Sequence, residues 1–155
     1  MAACAAGCSS STGGSGASAS SLPSPNGGAL ELSGQASDAP RVLGTNSCNA
    51  TQSLQLQGLH GSTYRFVVKD GKPGILTLAS HSSLSIDLIA TGTSGRFEWR
   101  GGNGAGSGVI TAPPTAGGAG GGPGMYTINA TLPPASGAGT STSASERVKG
   151  SWLCA

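Results

Sequence analysis

The chain has 155 residues, a formal net charge of +2 and only 9% charged residues, against about 25% in an ordinary soluble domain. This length holds one domain at most, and the scattered basic residues are not interleaved with aromatic side chains, so we expect no nucleic-acid binding. No run of about 18 or more apolar residues occurs, so the sequence predicts no transmembrane helix. Ser, Thr, Gly and Ala dominate instead, as suits an exported β-protein.

Residues 1–29 are predicted to form a tail outside the fold. From Ser9 to Gly28 the chain consists of Ser, Thr, Gly, Ala, Asn and Pro, apart from Leu22. Such a stretch buries too little apolar surface to offset a backbone ordering cost of about 1–2 kcal/mol per residue. Its Ser, Thr and Pro content fits a plain flexible linker and an O-glycosylated stalk equally well.

Residues 30–155 are predicted to form an all-β domain. Apolar and polar residues alternate there in short segments that turn residues bound, which is the pattern of half-buried strands. Seven or eight strands are expected, and the candidate segments are Gln52–Gln57, Thr63–Lys69, Ile75–Ala79, Ser83–Ala90, Arg96–Arg100, Ser107–Thr111, Tyr126–Thr131 and Arg147–Cys154. No segment shows a helical period with caps at both ends. The sequence therefore predicts a small antiparallel β-sandwich or open barrel behind a disordered N-terminal tether.

Three tracts rich in Gly, Pro and Ser are predicted to be long surface loops. They span Gly101–Gly108, Pro113–Gly124 and Pro133–Ser145. None of them carries the Lys-Ser/Thr ending or the strand-to-helix context of a phosphate-binding loop, so nucleotide binding is not expected.

The four cysteines divide between the predicted tail, which holds Cys4 and Cys8, and the predicted domain. Cys48 and Cys154 bracket the predicted domain, and a disulfide between them would stabilise it by about 4–5 kcal/mol in the chain-entropy description. A metal site is the rival use of these thiols. There is no Cys-x-x-Cys, however, and His60 and His81 do not stand at ligand spacing to either cysteine. The disulfide is therefore favoured, and no metal is expected.

No catalytic constellation is expected. Serine is too abundant to single out a nucleophile, and no Gly-x-Ser-x-Gly elbow occurs. His60, His81 and Asp87 are interpreted as exposed polar residues, and Asp87 lies on the outward face of an alternating strand. The sequence thus predicts neither an enzyme nor a cofactor.

The segment Ala5-Ala6-Gly7-Cys8 matches the end of a bacterial lipoprotein signal, in which a small-residue triplet precedes the acylated cysteine. The seven residues ahead of Cys8 contain no basic region and no apolar region. Either the true start lies upstream of Met1 or the match is accidental. The flexible tether after Cys8 favours the first alternative.

Several features together resemble the mycobacterial 19 kDa lipoprotein antigen family. They are Gly7-Cys8-Ser9-Ser10, the Ser/Thr/Gly/Pro linker, Cys48 at the start of the domain, the strand and turn Val68–Pro73, the strand Tyr126–Thr131, and Cys154 one residue from the end. The resemblance implies a lipid-anchored, non-enzymatic cell-envelope protein with a disulfide-closed β-domain. It also implies a diacylglyceryl thioether on Cys8, and O-glycans for which Ser9, Ser10, Ser11 and Thr12 are candidates. Its partners would be the membrane and a host Toll-like receptor or an envelope component.

The alternative is a secreted β-sandwich module that binds carbohydrate or another envelope ligand. In that case we expect Trp99, Tyr64 or Trp152 to be exposed and to stack against sugar rings. The codons upstream of Met1 distinguish the two hypotheses, because a basic and then apolar segment ending at Cys8 would establish the lipoprotein signal.

Overall fold

The protein is all β in the computed structural model, as predicted. The structure describes residues 27–44, 51–59, 61–69, 74–80, 83–92, 95–113, 123–137 and 140–154. The strands are β1 (Gly28–Gly34), β2 (Arg41–Leu43), β3 (Thr51–Gln57), β4 (Thr63–Lys69), β5 (Gly74–Thr77), β6 (Ser85–Gly92), β7 (Gly95–Gly102), β8 (Ser107–Ala112), β9 (Gly124–Leu132) and β10 (Glu146–Cys154). They form one antiparallel sheet in the order β5-β8-β9-β10-β1-β2-β3-β4-β6-β7. The sheet curls into a half-barrel, which is the open-barrel form of the prediction.

The core fills the inside of the curled sheet, because buried and exposed positions alternate along most strands. Trp152 is one of its largest fully buried side chains. Its ring stacks on that of Tyr126 with centroids 5.4 Å apart, and it meets Phe66 edge-on at 5.4 Å. Its indole N–H donates to the buried Oε1 of Gln52 over 2.7 Å. Each aromatic pair contributes about 0.5–1.5 kcal/mol beyond the area that it buries.

All eight candidate segments are strands, and two further strands lie outside the predicted set. β1 begins at Gly28, within the predicted tail 1–29, and pairs with β10 along its whole length. Its buried apolar side chains are only Leu30 and Leu32. That pattern is too short to be distinguished from a linker without knowledge of the neighbouring strands. The short β2 connects β1 with β3 in the sheet.

Only residues 103–106 of the tract 101–108 lie between strands, so the prediction of a long loop there is wrong. β7 continues to Gly102, and β8 already begins at Ser107. A Cβ atom on Gly101 would lie 2.7 Å from the side chain of Leu132, closer than real Cβ contacts. Glycine at this position allows close packing across the half-barrel rather than flexibility.

The tract 133–145 is the long connection between β9 and β10, as predicted, and its described residues are held against β7. The backbone N–H of Arg100 donates to the carbonyl of Pro133 over 3.1 Å, and the N–H of Ala135 donates to that of Glu98 over 2.9 Å. The segment therefore covers the outer edge of β7, where unpaired backbone groups would otherwise be open to another strand. In the third predicted loop, residues 114–122 lie outside the described residues.

The half-barrel has two ends, which antiparallel pairing defines. At the loop end, β1, β3 and β6 finish and β4, β7 and β10 begin. At the entry end, β1 begins at Gly28 while β10 finishes at Cys154. The N–H of Leu153 donates to the carbonyl of Gly27 over 2.6 Å, which fixes the chain where it enters the sheet.

Among the described residues, no helix is long and apolar enough to span a bilayer.

Candidate functional site

A cleft of about 190 Å³ opens at the loop end. Its walls come from the connection between β1 and β2, the connection between β3 and β4, the end of β6 and the start of β7. The side chains that define its chemistry are those of Asp38, Ser62, Tyr64 and Phe97. Concave sites that combine an aromatic wall with a few placed polar groups are typical of ligand binding.

Asp38 is the central polar residue of the cleft. Its Oδ1 accepts from the backbone N–H of Ala39 over 2.8 Å and from that of Leu59 over 3.0 Å. Its Oδ2 accepts from the Tyr64 hydroxyl over 2.8 Å. Burial, and then the hydrogen bond to Asp38, raise the pKa of Tyr64 above its usual range, so the hydroxyl stays protonated and remains a donor. This network holds the β1–β2 connection against β4.

Phe97 supplies the aromatic wall of the cleft. Its half-buried ring stacks on Trp99, with centroids 6.1 Å apart and an interplanar angle of 15°. Trp99 is fully buried, and its Nε1–H donates to the carbonyl of Ala144 over 2.8 Å. The core therefore supports one side of the Phe97 ring while that ring lines the cleft.

Gln35 fixes the segment ahead of β10 to the rim of the cleft. Its Nε2 donates to the carbonyl of Ser141 over 3.0 Å. Its Oε1 accepts from the backbone N–H groups of Ser143 and Ala144, at 2.9 and 3.1 Å. The amide thus replaces the backbone pairing that the irregular segment lacks, and it makes this wall of the cleft well defined.

Glu146 lies behind the cleft wall and has no exposed surface. Its Oε2 accepts from the backbone N–H of Ala36 over 2.8 Å, whereas Oε1 has no hydrogen-bond partner in the described part of the chain. Burial raises the pKa of Glu146, and hydrogen bonds from the backbone of Ala36 and Gln35 oppose the shift. An unsatisfied buried polar group costs about 1–3 kcal/mol, so this carboxylate is kept at the expense of stability.

The arrangement is suited to binding. Phe97 offers an apolar ring, and Asp38 and Ser62 place polar side chains in the same cleft. A ligand with a flat apolar face and hydroxyl or amine donors matches these groups. No group of three or more His, Cys, Asp or Glu that could hold a metal ion occurs among the described residues.

Most of the sequence-predicted site residues lie outside the described residues: Cys8, Ser9, Ser10, Ser11, Thr12, Cys48, His60 and His81. Cys154 is described. It is buried at the end of β10 and is disulfide-bonded. Because Cys48 is not described, the pairing of Cys48 with Cys154 stays a prediction, as do the acylation and glycosylation positions.

Asp87 faces outward, as its strand pattern predicts. It is not freely exposed, because its carboxylate accepts from Nε of Arg100 and only 16% of its side chain is accessible. Arg100 also reaches Oε1 of Glu98 over 3.0 Å. Surface ion pairs of this kind contribute about 0–1 kcal/mol and carry no catalytic role by themselves.

The prediction of an exposed aromatic platform is wrong. Trp99 and Trp152 have no exposed surface, and Tyr64 is only 5% exposed. All three lie on the inward faces of their strands, where the apolar ring surface packs and each N–H or O–H finds an internal acceptor. Tyr64 and Phe97 both line the cleft, and Phe97 is the one whose ring is only half-buried.

Sequence reasoning missed three residues of the loop end, namely Gln35, Asp38 and Glu146. A signal for Glu146 exists, because Val148 and Trp152 face inward and the same alternation carried backward places Glu146 inward. Gln35 and Asp38 lie in the connection between β1 and β2, where no periodic pattern predicts whether a side chain points inward or outward.

Comparisons of the chain with protein-family models, with curated proteins and with solved structures find no match. The functional interpretation therefore depends on the residues and their geometry. The resemblance to the 19 kDa lipoprotein antigen family stays a prediction.

Proposed function

We propose that this protein is a lipid-anchored lipoprotein of the cell envelope, with a non-enzymatic β-domain that acts as an interaction module. The observation that carries the proposal is Ala5-Ala6-Gly7-Cys8 directly ahead of a Ser/Gly-rich stretch that leads to β1 at Gly28. The anchor is an acylated Cys8 on the extracytoplasmic face of the membrane. A single acyl chain binds a bilayer only marginally, so stable anchoring requires two or three.

The direction of β1 defines where the proposed anchor joins the domain. The chain enters at the entry end and reaches the loop end after Gly28–Gly34, a distance of about 20 Å for a strand of this length. An anchor at Cys8 is therefore attached, through the linker, at the end opposite the cleft. That arrangement leaves the cleft free of the attachment point and suits a domain that meets a partner outside the membrane.

Cysteine substitution tests the anchor. The complete reading frame, with any codons ahead of Met1, is produced in a mycobacterial host as wild type, as Cys8→Ala and as the matched control Cys4→Ala. Detergent-phase partitioning of the cell extract is the measurement. We expect Cys8→Ala to move the protein into the aqueous phase, while Cys4→Ala stays with wild type. Identical partitioning of all three proteins would contradict the proposal.

The cleft favours a second candidate function, that of a carbohydrate-binding module. Sugar rings combine an apolar C–H face with hydroxyl donors, and these match Phe97 and Asp38. Calorimetric titration with maltose and cellobiose tests this function. We expect binding that Phe97→Ala abolishes and that Val109→Ala, on the outer face of β8, leaves unchanged. Wild-type protein that binds neither sugar, or a Phe97→Ala variant that binds as wild type does, removes this candidate.

A further inference from the structure

Exposed large apolar side chains concentrate at the entry end. Four of the six among the described residues lie near the strand termini that meet there: Leu43, Ile75, Met125 and Leu153. The other two are Leu59, at the loop end, and Val109, in the middle of β8. Apolar residues scattered singly over a surface need no explanation, but a cluster at one end does. We call the four clustered side chains the entry rim.

The sheet register places three members of the entry rim in one row. Met125 is directly opposite Leu153 in the pairing of β9 with β10. The backbone N–H of Leu153 donates to the carbonyl of Gly27. Gly27 in turn packs closely on Val42, because a Cβ atom placed on Gly27 would lie 2.9 Å from the Val42 side chain. Val42 is the neighbour of Leu43 on β2. Exposed leucines thus flank the point where the chain enters the domain.

Basic side chains lie behind the rim on the same outward face. Along β10 the outward positions from the tip backward are Leu153, Ser151, Lys149 and Arg147, so Lys149 stands about 13 Å behind Leu153 along the strand. Glu31 is the neighbouring carboxylate, opposite Lys149 on β1. An apolar tip with cations behind it matches a bilayer surface, where apolar side chains enter the headgroup region and cations meet lipid phosphates.

We propose that the entry rim rests on the phospholipid surface of the membrane and holds the half-barrel upright on it. The segment that ends at Gly27 carries the proposed anchor at Cys8, so the rim surrounds the point at which the tether joins the domain. The biological setting rests on the proposed function, whereas the affinity of the rim for lipid does not depend on acylation. A second copy of the chain is the competing occupant.

The test uses the full unacylated chain, held on vesicles by an N-terminal hexahistidine tag and a nickel-chelating lipid. The vesicles consist of phosphatidylcholine and phosphatidylglycerol. The tag gives the rim a high effective concentration at the bilayer, so a weak second contact slows dissociation measurably. The rim variant is Leu43→Ser/Met125→Ser/Leu153→Ser, and the control is Leu59→Ser/Val109→Ser, which removes exposed apolar surface away from the rim.

We expect the rim variant to dissociate about tenfold faster than wild type, because less apolar surface leaves water on contact. The control keeps the wild-type rate. Met125→Asp is a single exposed substitution that is also expected to dissociate faster, and near-ultraviolet circular dichroism confirms that each variant is folded.

Three results would overturn the inference. They are equal dissociation of wild type and rim variant, faster dissociation of the control to the same extent, and a dimer in solution that the rim variant abolishes. The last result would assign the rim to a second copy. None of these results bears on Cys8 acylation, which the partitioning of Cys8→Ala reports separately.

Discussion

Different interactions stabilise the two ends of the half-barrel. At the loop end, polar side chains organise irregular backbone: Asp38 binds Tyr64 and two amides, and Gln35 fixes the segment ahead of β10. Toward the entry end, the aromatic packing of Trp152 and the disulfide-bonded Cys154 dominate. Packing fills space and stabilises the fold, whereas a hydrogen-bonded network fixes a particular geometry. We therefore expect stability to depend mainly on the entry end, whereas the loop end has the fixed geometry that suits binding.

The largest effect is expected from the aromatic cluster toward the entry end. Trp152→Ala removes the ring that packs on Tyr126 and Phe66, and it leaves Gln52 without the indole donor. We expect the free energy of unfolding to fall by about 3–5 kcal/mol, measured by urea denaturation. Trp152→Phe is the control that keeps a ring and loses less. A loss below about 1 kcal/mol for Trp152→Ala would mean that this cluster does not dominate stability.

A smaller effect is expected at the loop end. Tyr64→Phe keeps the ring but removes the hydroxyl that Asp38 accepts, and we expect a loss of about 1–2 kcal/mol. A double-mutant cycle with Asp38→Asn measures the coupling between the two side chains. Additive losses would show that the network does not act as a unit and would weaken the contrast between the ends.

The pH dependence of stability tests the unsatisfied carboxylate. Because burial raises the pKa of Glu146, the folded state holds its proton more firmly than the unfolded chain does. Stability is therefore lost as the pH rises above the ordinary glutamate range of about 4.3. We expect Glu146→Gln to remove this loss, so that the variant gains on the order of 1 kcal/mol over wild type at neutral pH.

Urea denaturation of wild type and Glu146→Gln at several pH values between acidic and neutral measures this difference in the free energy of unfolding. The raised pKa values of Tyr64 and Tyr126 act only at alkaline pH and do not interfere. Parallel pH profiles of the free energy of unfolding for the two proteins would show that the buried carboxyl group of Glu146 does not destabilise the fold.

The smallest effect is expected on the outer surface. Arg96 pairs with Glu98 over 3.3 Å, and its side chain is 54% exposed. Solvent screening leaves such a pair worth less than about 0.5 kcal/mol, so Arg96→Ala should barely move the melting temperature. A shift comparable to that of Tyr64→Phe would mean that surface charge, and not the buried network, organises the loop end.

The sequence was sufficient to predict the strands that carry several alternating apolar residues. β6 is an example, because Leu88 and its inward neighbours repeat with period two. It was not sufficient for β1, whose short pattern depends on pairing with β10. The tract 101–108 was taken for a long loop because glycine marks turns locally, whereas here glycine permits close packing and only residues 103–106 lie between strands. The tract 133–145 is a loop, as predicted, but the sequence does not reveal that it covers the edge of β7.

The cleft could not be predicted because its residues meet only through tertiary folding. Asp38 and Tyr64 are far apart in the chain, and their contact depends on how strongly the sheet curls. The aromatic residues were recognised, but strand alternation near Phe97 does not reveal that the end of the half-barrel leaves its ring partly open. By contrast, a continued alternation in β10 was enough to place Glu146 inside.

Under the proposed function, Cys8 anchors the chain on the side of the entry end and leaves the loop end free to bind. The most direct test of this anchoring is the intact mass of the protein extracted from the membrane fraction of a mycobacterial host. The account predicts an N-terminus at Cys8 carrying the mass of a diacylglyceryl thioether, which reduction does not remove. A mature protein that retains residues 1–7, or that begins at Cys8 without added lipid mass, would contradict it.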